Sequence, residues 1–193
     1  MSDITATKSE LRRQLRAARR ALPPATQHQA RDRLSHTVTQ LPDWHLLQRI
    51  GLYLAADGEI DPSLLAEQLL TEGKQVYLPV IQDDKTLQFG RWQGSADELI
   101  ANRYGISEPR PESTRAATAT LDCICLPLVA WSETGKRLGM GGGYYDRTLA
   151  DLSGPLRVGL GYEMQREDAL PGDAWDVDLD FVATEAALYR CRT

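Results

Sequence analysis

No apolar stretch approaches the roughly 20 residues that span a bilayer, and the first residues lack the basic-then-apolar layout of a secretory signal. A cytoplasmic chain with no membrane association is expected. Cysteine is scarce: Cys123, Cys125 and Cys191 are too few, and odd in number, for a disulfide framework. The first two are expected on opposite faces of one strand, and all three are read as reduced structural thiols rather than a disulfide or zinc site. Histidine is equally scarce, and His28, His36 and His45 all fall in the first quarter without metal-ligand spacing. Neither a Ser-His-Asp nor a Cys-His pattern is present, which removes the commonest nucleophile and base pairs. An excess of positive charge is also missing, since a net charge of −5 argues against general nucleic-acid binding. Internal repeats and low-complexity segments are absent too. With 193 residues, 42% of them hydrophobic, the chain is long enough to bury a full core and fits one domain over 1–193.

The charge that is present is unevenly spread. Lys8, Arg12, Arg13, Arg16, Arg19 and Arg20 crowd the start with no acid between Arg12 and Arg20, whereas Glu163 to Glu185 holds eight acids against the single Arg166. An anionic ligand near the first segment and a cation near the second would both be favoured. Leu11, Leu15, Ala18 and Leu22 at helical spacing predict an amphipathic basic helix over 9–22, closed by Pro23-Pro24. A second helix is expected over 25–41, and a third from Asp61-Pro62 to Glu72, with the acid as N-cap and the proline at the first helical position. Residues 49–55, 76–81, 86–92, 121–129 and 156–160 read as strands, 142–152 as a helix, and 108–120 as a loop. Strands alternating with helices imply parallel βαβ units in an α/β fold.

One segment carries most of the chemistry. Gly139, Gly141, Gly142 and Gly143 lie within five residues, just before the helix expected at 142. Glycines let backbone amides approach phosphate oxygens closely, and the first amides of a helix lack intrahelical partners. Arg137 adds a charged fork for phosphate, while Tyr144, Tyr145 and Asp146 add aromatic surface and a hard oxygen ligand for Mg²⁺. A structural turn alone explains neither the arginine nor the acid. The spacing matches neither a Walker A loop nor the dinucleotide-binding fingerprint.

The segment RLGMGGGYYDR at 137–147, preceded by LPLVAW and Gly135, closely resembles the signature of the 5-formyltetrahydrofolate cyclo-ligase (5,10-methenyltetrahydrofolate synthetase) family. The resemblance extends through Lys8-x-x-x-Arg12, GLYLAADGEID at 51–61, YGISEPR at 104–110 and DVDLDFVATE at 176–185. It implies a single-domain α/β sandwich with a mainly parallel sheet flanked by helices, akin to the sugar-phosphate isomerase and CoA-transferase architecture. It implies that ATP is held by Lys8, Arg12, Arg137, Leu138, Gly139, Met140, Gly141, Gly142, Gly143, Tyr144 and Tyr145. Mg²⁺ is implied on Asp146 and Asp176, and the folate on Leu54, Glu59, Met140 and Tyr144, with Arg137 and Tyr144 in catalytic roles. The implied reaction turns 5-formyltetrahydrofolate and ATP into 5,10-methenyltetrahydrofolate, ADP and phosphate through a phosphorylated formyl (imidate) intermediate. The substrate is expected with or without a polyglutamate tail, and the enzyme as a monomer or weak dimer.

Two departures stand out. Gly142 occupies a position where relatives often carry lysine, and Trp131-Ser132 one where they often carry Phe-Asp, read as scaffold. In WDVDLDF, Trp175, Val177, Leu179 and Phe181 alternate with Asp176, Asp178 and Asp180, so an extended chain would place three acids on one face. Arg13, Arg16, Arg19 and Arg20 are read as a solvated helix face. Two competing readings stay open: an ATP-independent relative of sugar-phosphate isomerases or acyl-CoA transferases, and a nucleic-acid module using the basic helix.

Overall fold

Strands that read as nearly continuous apolar runs are the ones buried on both faces of a central sheet. A computed structural model describes residues 2–191, and side chains from residue 7 onward. In chain order the elements are α1 (Ser2–Arg20), α2 (Pro24–Val38), β1 (Arg49–Gly51), α3 (Ser63–Thr71), β2 (Gln75–Ile81), β3 (Leu87–Trp92), β4 (Leu99–Ala101) and β5 (Ser107–Pro109). They continue with β6 (Arg115–Ala116), β7 (Cys123–Pro127), β8 (Ala130–Trp131), β9 (Arg137–Leu138), α4 (Tyr144–Leu149), β10 (Leu156–Leu160), β11 (Phe181–Ala183) and β12 (Leu188–Arg190). Eight strands form one sheet in the order β12-β11-β10-β7-β1-β2-β3-β6. The five strands from β11 to β2 run parallel; β12 at one edge and β3 at the other run against them, and the outermost β6 pairs antiparallel with β3. The result is a single α/β domain with a mainly parallel sheet between helices, as the family resemblance implies.

Alternation along the strands divides the core in two. Ile50, Val76, Leu78, Val158 and Leu160 face Leu34 and Val38 of α2 and Leu65 and Leu69 of α3. Tyr77, Phe89, Ile124, Leu126 and Val182 face Leu149 of α4 and the buried Val177 and Leu179. Cys123 and Cys125 both lie in the first of these clusters. Residues two apart in a strand share a face, so the expectation of opposite faces fails; both thiols are free and buried, as is Cys191. Trp131 and Ser132 are fully buried, and Trp131 Nε1 donates to the Tyr162 carbonyl at 3.1 Å.

Several elements differ from the sequence-based expectation. β2 and β3 are joined by the Asp83-Asp84 turn and pair antiparallel, so this unit is a hairpin and not a βαβ crossover. The expected loop 108–120 contains the edge strand β6. The hairpin β4–β5 was not anticipated, nor were the hairpin β8–β9 and the edge strand β12. α3 starts one residue late, at Ser63, yet Asp61 still accepts its backbone N–H at 2.9 Å. The helix expected over 142–152 is the six-residue α4, capped by Gly143 at φ 69°. Its short length leaves little macrodipole, so the loop amides themselves carry any anion-binding character.

Candidate active site

A cavity of about 1040 Å³ opens where the ends of β1 and β2, the loop after β9, α1 and the 173–176 segment meet. Every sequence-predicted site residue lines it: Lys8 and Arg12, Leu54 and Glu59, the run from Arg137 to Asp146, and Asp176.

α1 delivers the cations because Leu15 and its neighbour Leu11 pack on Val129, Ala130 and Leu138 of the β8–β9 hairpin. Arg12 Nε donates to the Gly139 carbonyl at 2.8 Å, which stitches the helix to the glycine loop. Within that loop Gly141 (φ 99°) and Gly143 (φ 69°) occupy the left-handed region that side chains disfavour. A Cβ at Gly142 would sit 2.8 Å from the Tyr144 ring, so the ring occupies the space a side chain at this position needs.

Two ion pairs link the expected phosphate ligands to the expected metal ligands. Lys8 Nζ lies 2.8 Å from Asp173 Oδ2 and 3.0 Å from Asp176 Oδ2. Burial works against the Lys8 charge, but the hydrogen bonds to Asp173 and Asp176 outweigh it and raise its pKa. Arg137, itself buried, contacts Asp146 Oδ1 at 2.5 Å, and the same oxygen accepts the Val177 N–H at 3.2 Å. Asp146 therefore sits against the residue that follows Asp176. Among the described residues no three His, Cys, Asp or Glu side chains cluster closely enough to hold a metal ion by themselves. The alternation over 176–181 holds for its acids, each of which has its own partner: Asp176 with Lys8, Asp178 with Lys136, and Asp180 with the Arg157 N–H. Trp175 departs from the pattern and is exposed at the cavity.

The opposite wall is set by a tight turn. Ala56-Asp57-Gly58-Glu59 closes with the Glu59 N–H on the Ala56 carbonyl at 2.9 Å, and Asp57 (φ 56°) and Gly58 (φ 73°) are both left-handed, the signature of a type I′ turn. Any side chain at residue 58 would meet the Arg20 Cα at 3.2 Å. Glu59 Oε2 accepts the Ala56 N–H at 3.1 Å, and burial pushes its carboxyl above the usual range. Nearby, the Tyr145 hydroxyl is raised first by burial and then by Glu59. Tyr145 Oη and Arg137 Nε are both buried with no hydrogen-bond partner. Two unsatisfied donors on one cavity wall fit a polar ligand.

The family model described as the 5-formyltetrahydrofolate cyclo-ligase family matches residues 4–185. The chain belongs to this family. It is 35% identical to the 5-formyltetrahydrofolate cyclo-ligase of Escherichia coli (strain K12) over 180 residues, covering 91% of this chain and 98% of that one. The Haemophilus influenzae cyclo-ligase matches at the same identity, with 91% and 96% covered. The NMR structure of Aquifex aeolicus 5,10-methenyltetrahydrofolate synthetase superposes with a TM-score of 0.85 at 33% identity, covering 96% of this chain and 93% of that one. The protein is thus an enzyme of the cyclo-ligase family.

Membership does not account for every residue at the site. Arg19, Asp57, Asp173 and Tyr104 were not singled out for it from the sequence. Of the four arginines read as a solvated face, only Arg13, paired with Glu10, fits that description well. Arg16, Arg19 and Arg20 converge on Asp57, and Arg19 is fully buried. The signal was present: Arg19 follows Leu11 and Leu15 at four-residue intervals, so the apolar stripe of α1 runs straight into a guanidinium.

Proposed function

We propose that the protein closes 5-formyltetrahydrofolate to 5,10-methenyltetrahydrofolate at the expense of ATP, releasing ADP and phosphate, with Mg²⁺ as the metal. The observation that carries this reading is the crossed pairing at the cavity: Lys8 with Asp176 and Arg137 with Asp146. Each pair joins one cation suited to phosphate oxygens with one carboxylate suited to a hard cation. The two halves fit a magnesium-bound phosphate ester: Lys8 and Arg137 would hold its oxygens, and Asp146 and Asp176 would hold the metal. Two carboxylates suffice for this reading, since Mg²⁺ is commonly held by one or two carboxylates plus substrate phosphates.

The roles follow from the chemistry of each wall. Lys8, Arg12 and the amides of Gly139 to Gly143 bind and orient the phosphates, with Leu138, Met140 and Tyr145 completing the cradle. Glu59 accepts from the N–H-rich edge of the pterin, and Leu54, Met140 and Tyr144 flank its ring. The formyl oxygen attacks the γ-phosphorus as the bond to ADP breaks, giving a phosphorylated imidate. N10 then adds to the activated carbon, the C–O bond breaks as phosphate leaves, and the N10 proton is released. No protein nucleophile is required. Arg137 offsets charge developing on the transferred group, Tyr144 orders the substrate beside it, and Mg²⁺ supplies further charge neutralisation when bound. Formation of methenyltetrahydrofolate from 5-formyltetrahydrofolate, followed by absorbance with and without ATP and Mg²⁺, tests the proposal. Product that forms equally well without ATP, or not at all, refutes it.

A further inference from the structure

Arg19 makes more specific contacts than an anchor for a helix needs. Its side chain is wholly inaccessible to solvent. Nε donates to the Asp57 carbonyl at 2.9 Å and Nη1 to the Leu128 carbonyl at 3.0 Å. Nη2 donates to Asp57 Oδ2 at 2.9 Å and lies 3.9 Å from the Met140 sulfur and 3.6 Å from Glu59 Oε1. One guanidinium therefore joins α1, the 56–59 turn, the connection from β7 to β8, and the glycine loop. Arg16 and Arg20, both more exposed, already pair Asp57 with α1. A third arginine, buried at the cost of desolvation, is redundant as an Asp57 partner. What it alone among the three adds is the bonds to the Asp57 and Leu128 carbonyls, the contact with Met140 and closeness to Glu59.

We propose that Arg19 is a positioning residue for Glu59: it fixes the 56–59 turn against the glycine loop and keeps a positive charge beside the carboxylate. The inference rests on the folate-binding role proposed for Glu59. The charged and titratable groups around that carboxylate are Arg19 and Arg16 of α1, Asp57 of its own turn, Tyr53 at the end of β1 and Tyr145 of α4. Burial and Asp57 disfavour the ionised form, whereas the Ala56 N–H, Arg19 and Arg16 favour it. The ionised form is an acceptor at both oxygens, whereas protonation turns one of them into a donor facing the N–H groups of the substrate.

Steady-state KM values for 5-formyltetrahydrofolate and for ATP, measured from about pH 5.5 to about pH 9 on folded R19M, R19K and D57N variants, test the proposal. R19M is expected to raise the folate KM roughly tenfold while moving the ATP KM less than about twofold, and to shift the acid limb of the folate profile upward. R19K, which keeps the charge but not the fork, should fall between R19M and the wild type. D57N should shift the acid limb the other way, because it removes a like charge and leaves more of Arg19 to Glu59. Asn also tolerates the left-handed backbone of Asp57. In a cycle with E59Q, R19M should add nothing further to the folate KM. Equal changes in both KM values, an additive cycle, or a lowered melting temperature with unmoved KM values would each overturn it. Should R19M fail to fold, R19K decides, and a folate KM and acid limb that both match wild type overturn the proposal. Wild-type protein that forms no ATP-dependent product defeats the proposed function instead. In that case an NMR titration of the Glu59 carboxyl carbon in wild type and R19K still decides, a raised midpoint in R19K supporting the positioning role and an unchanged one overturning it.

Discussion

Replacing Arg137 with alanine separates the cost to the fold from the cost to chemistry. The side chain is 4% exposed and its partner Asp146 is 20% exposed, so the pair is largely removed from water. Losing a charge-assisted hydrogen bond of this kind costs about 1.5–3 kcal/mol. Asp146 keeps the Val177 N–H and some solvent, which places the loss near the lower end, and truncating the buried stem adds about 1 kcal/mol. A total of about 3 kcal/mol corresponds to a melting temperature lowered by roughly 6–12 °C for a chain of this size. The chemical effect should be much larger. Removing a preorganised donor to developing charge costs about 10²–10³ in kcat, or about 3–4 kcal/mol. The assay is methenyltetrahydrofolate formation at saturating ATP and folate, well below the melting temperature of the variant, with R137K run beside it. Lysine keeps the charge but loses the two-pronged geometry, so R137K should recover stability more fully than turnover. A kcat within about threefold of wild type for R137A would refute a role for Arg137 at the transferring phosphoryl group.

K8M should raise the ATP KM by about tenfold or more while leaving the folate KM nearly unchanged, which initial-rate kinetics against each substrate will show. E59Q should be at least as thermally stable as wild type at neutral pH while binding folate poorly. Because the folded-state pKa of Glu59 is raised, the stability it contributes is present below its unfolded value and is lost as pH rises through the folded value. Melting curves should therefore show the advantage of E59Q growing from acid toward neutral pH, and a constant difference would argue against a perturbed Glu59. G58A forces a side chain into a left-handed turn against the Arg20 backbone and should lower stability by about 1 kcal/mol or more, with a weakened folate KM. Cys123, Cys125 and Cys191 are all buried, and the Cys123 thiol is also pushed up by its hydrogen bond with Cys125 and by burial, so the three should resist iodoacetamide until the protein unfolds.

The apolar runs 76–81 and 156–160 were legible because strands buried on both faces need unbroken hydrophobic sequence. Short pairs such as Ala130–Trp131 with Arg137–Leu138 carry too few residues to show any period, and their hairpin is fixed by packing against α1. The glycine loop could be read directly, since four glycines beside an arginine and an acid constrain the chemistry locally. Its partners could not be read in that way. Lys8 meets Asp173 and Asp176 across more than 160 residues of chain, and nothing in local spacing announces such a meeting. Asp57 shows the same limit, since its three guanidinium partners lie about 40 residues earlier.

The long reach of these contacts has a consequence for folding order. Lys8 leaves the ribosome well before Asp173 and Asp176, its partners, because both are made more than 160 residues later. The stitching of Arg12 to Gly139 and of Arg19 to Leu128 likewise waits for residues more than 100 positions further along. Contacts of such sequence separation form late because closing the loop between them is entropically costly. A nascent chain arrested before residue 170 should therefore carry its sheet strands through β10 and its glycine loop, yet bind nucleotide weakly.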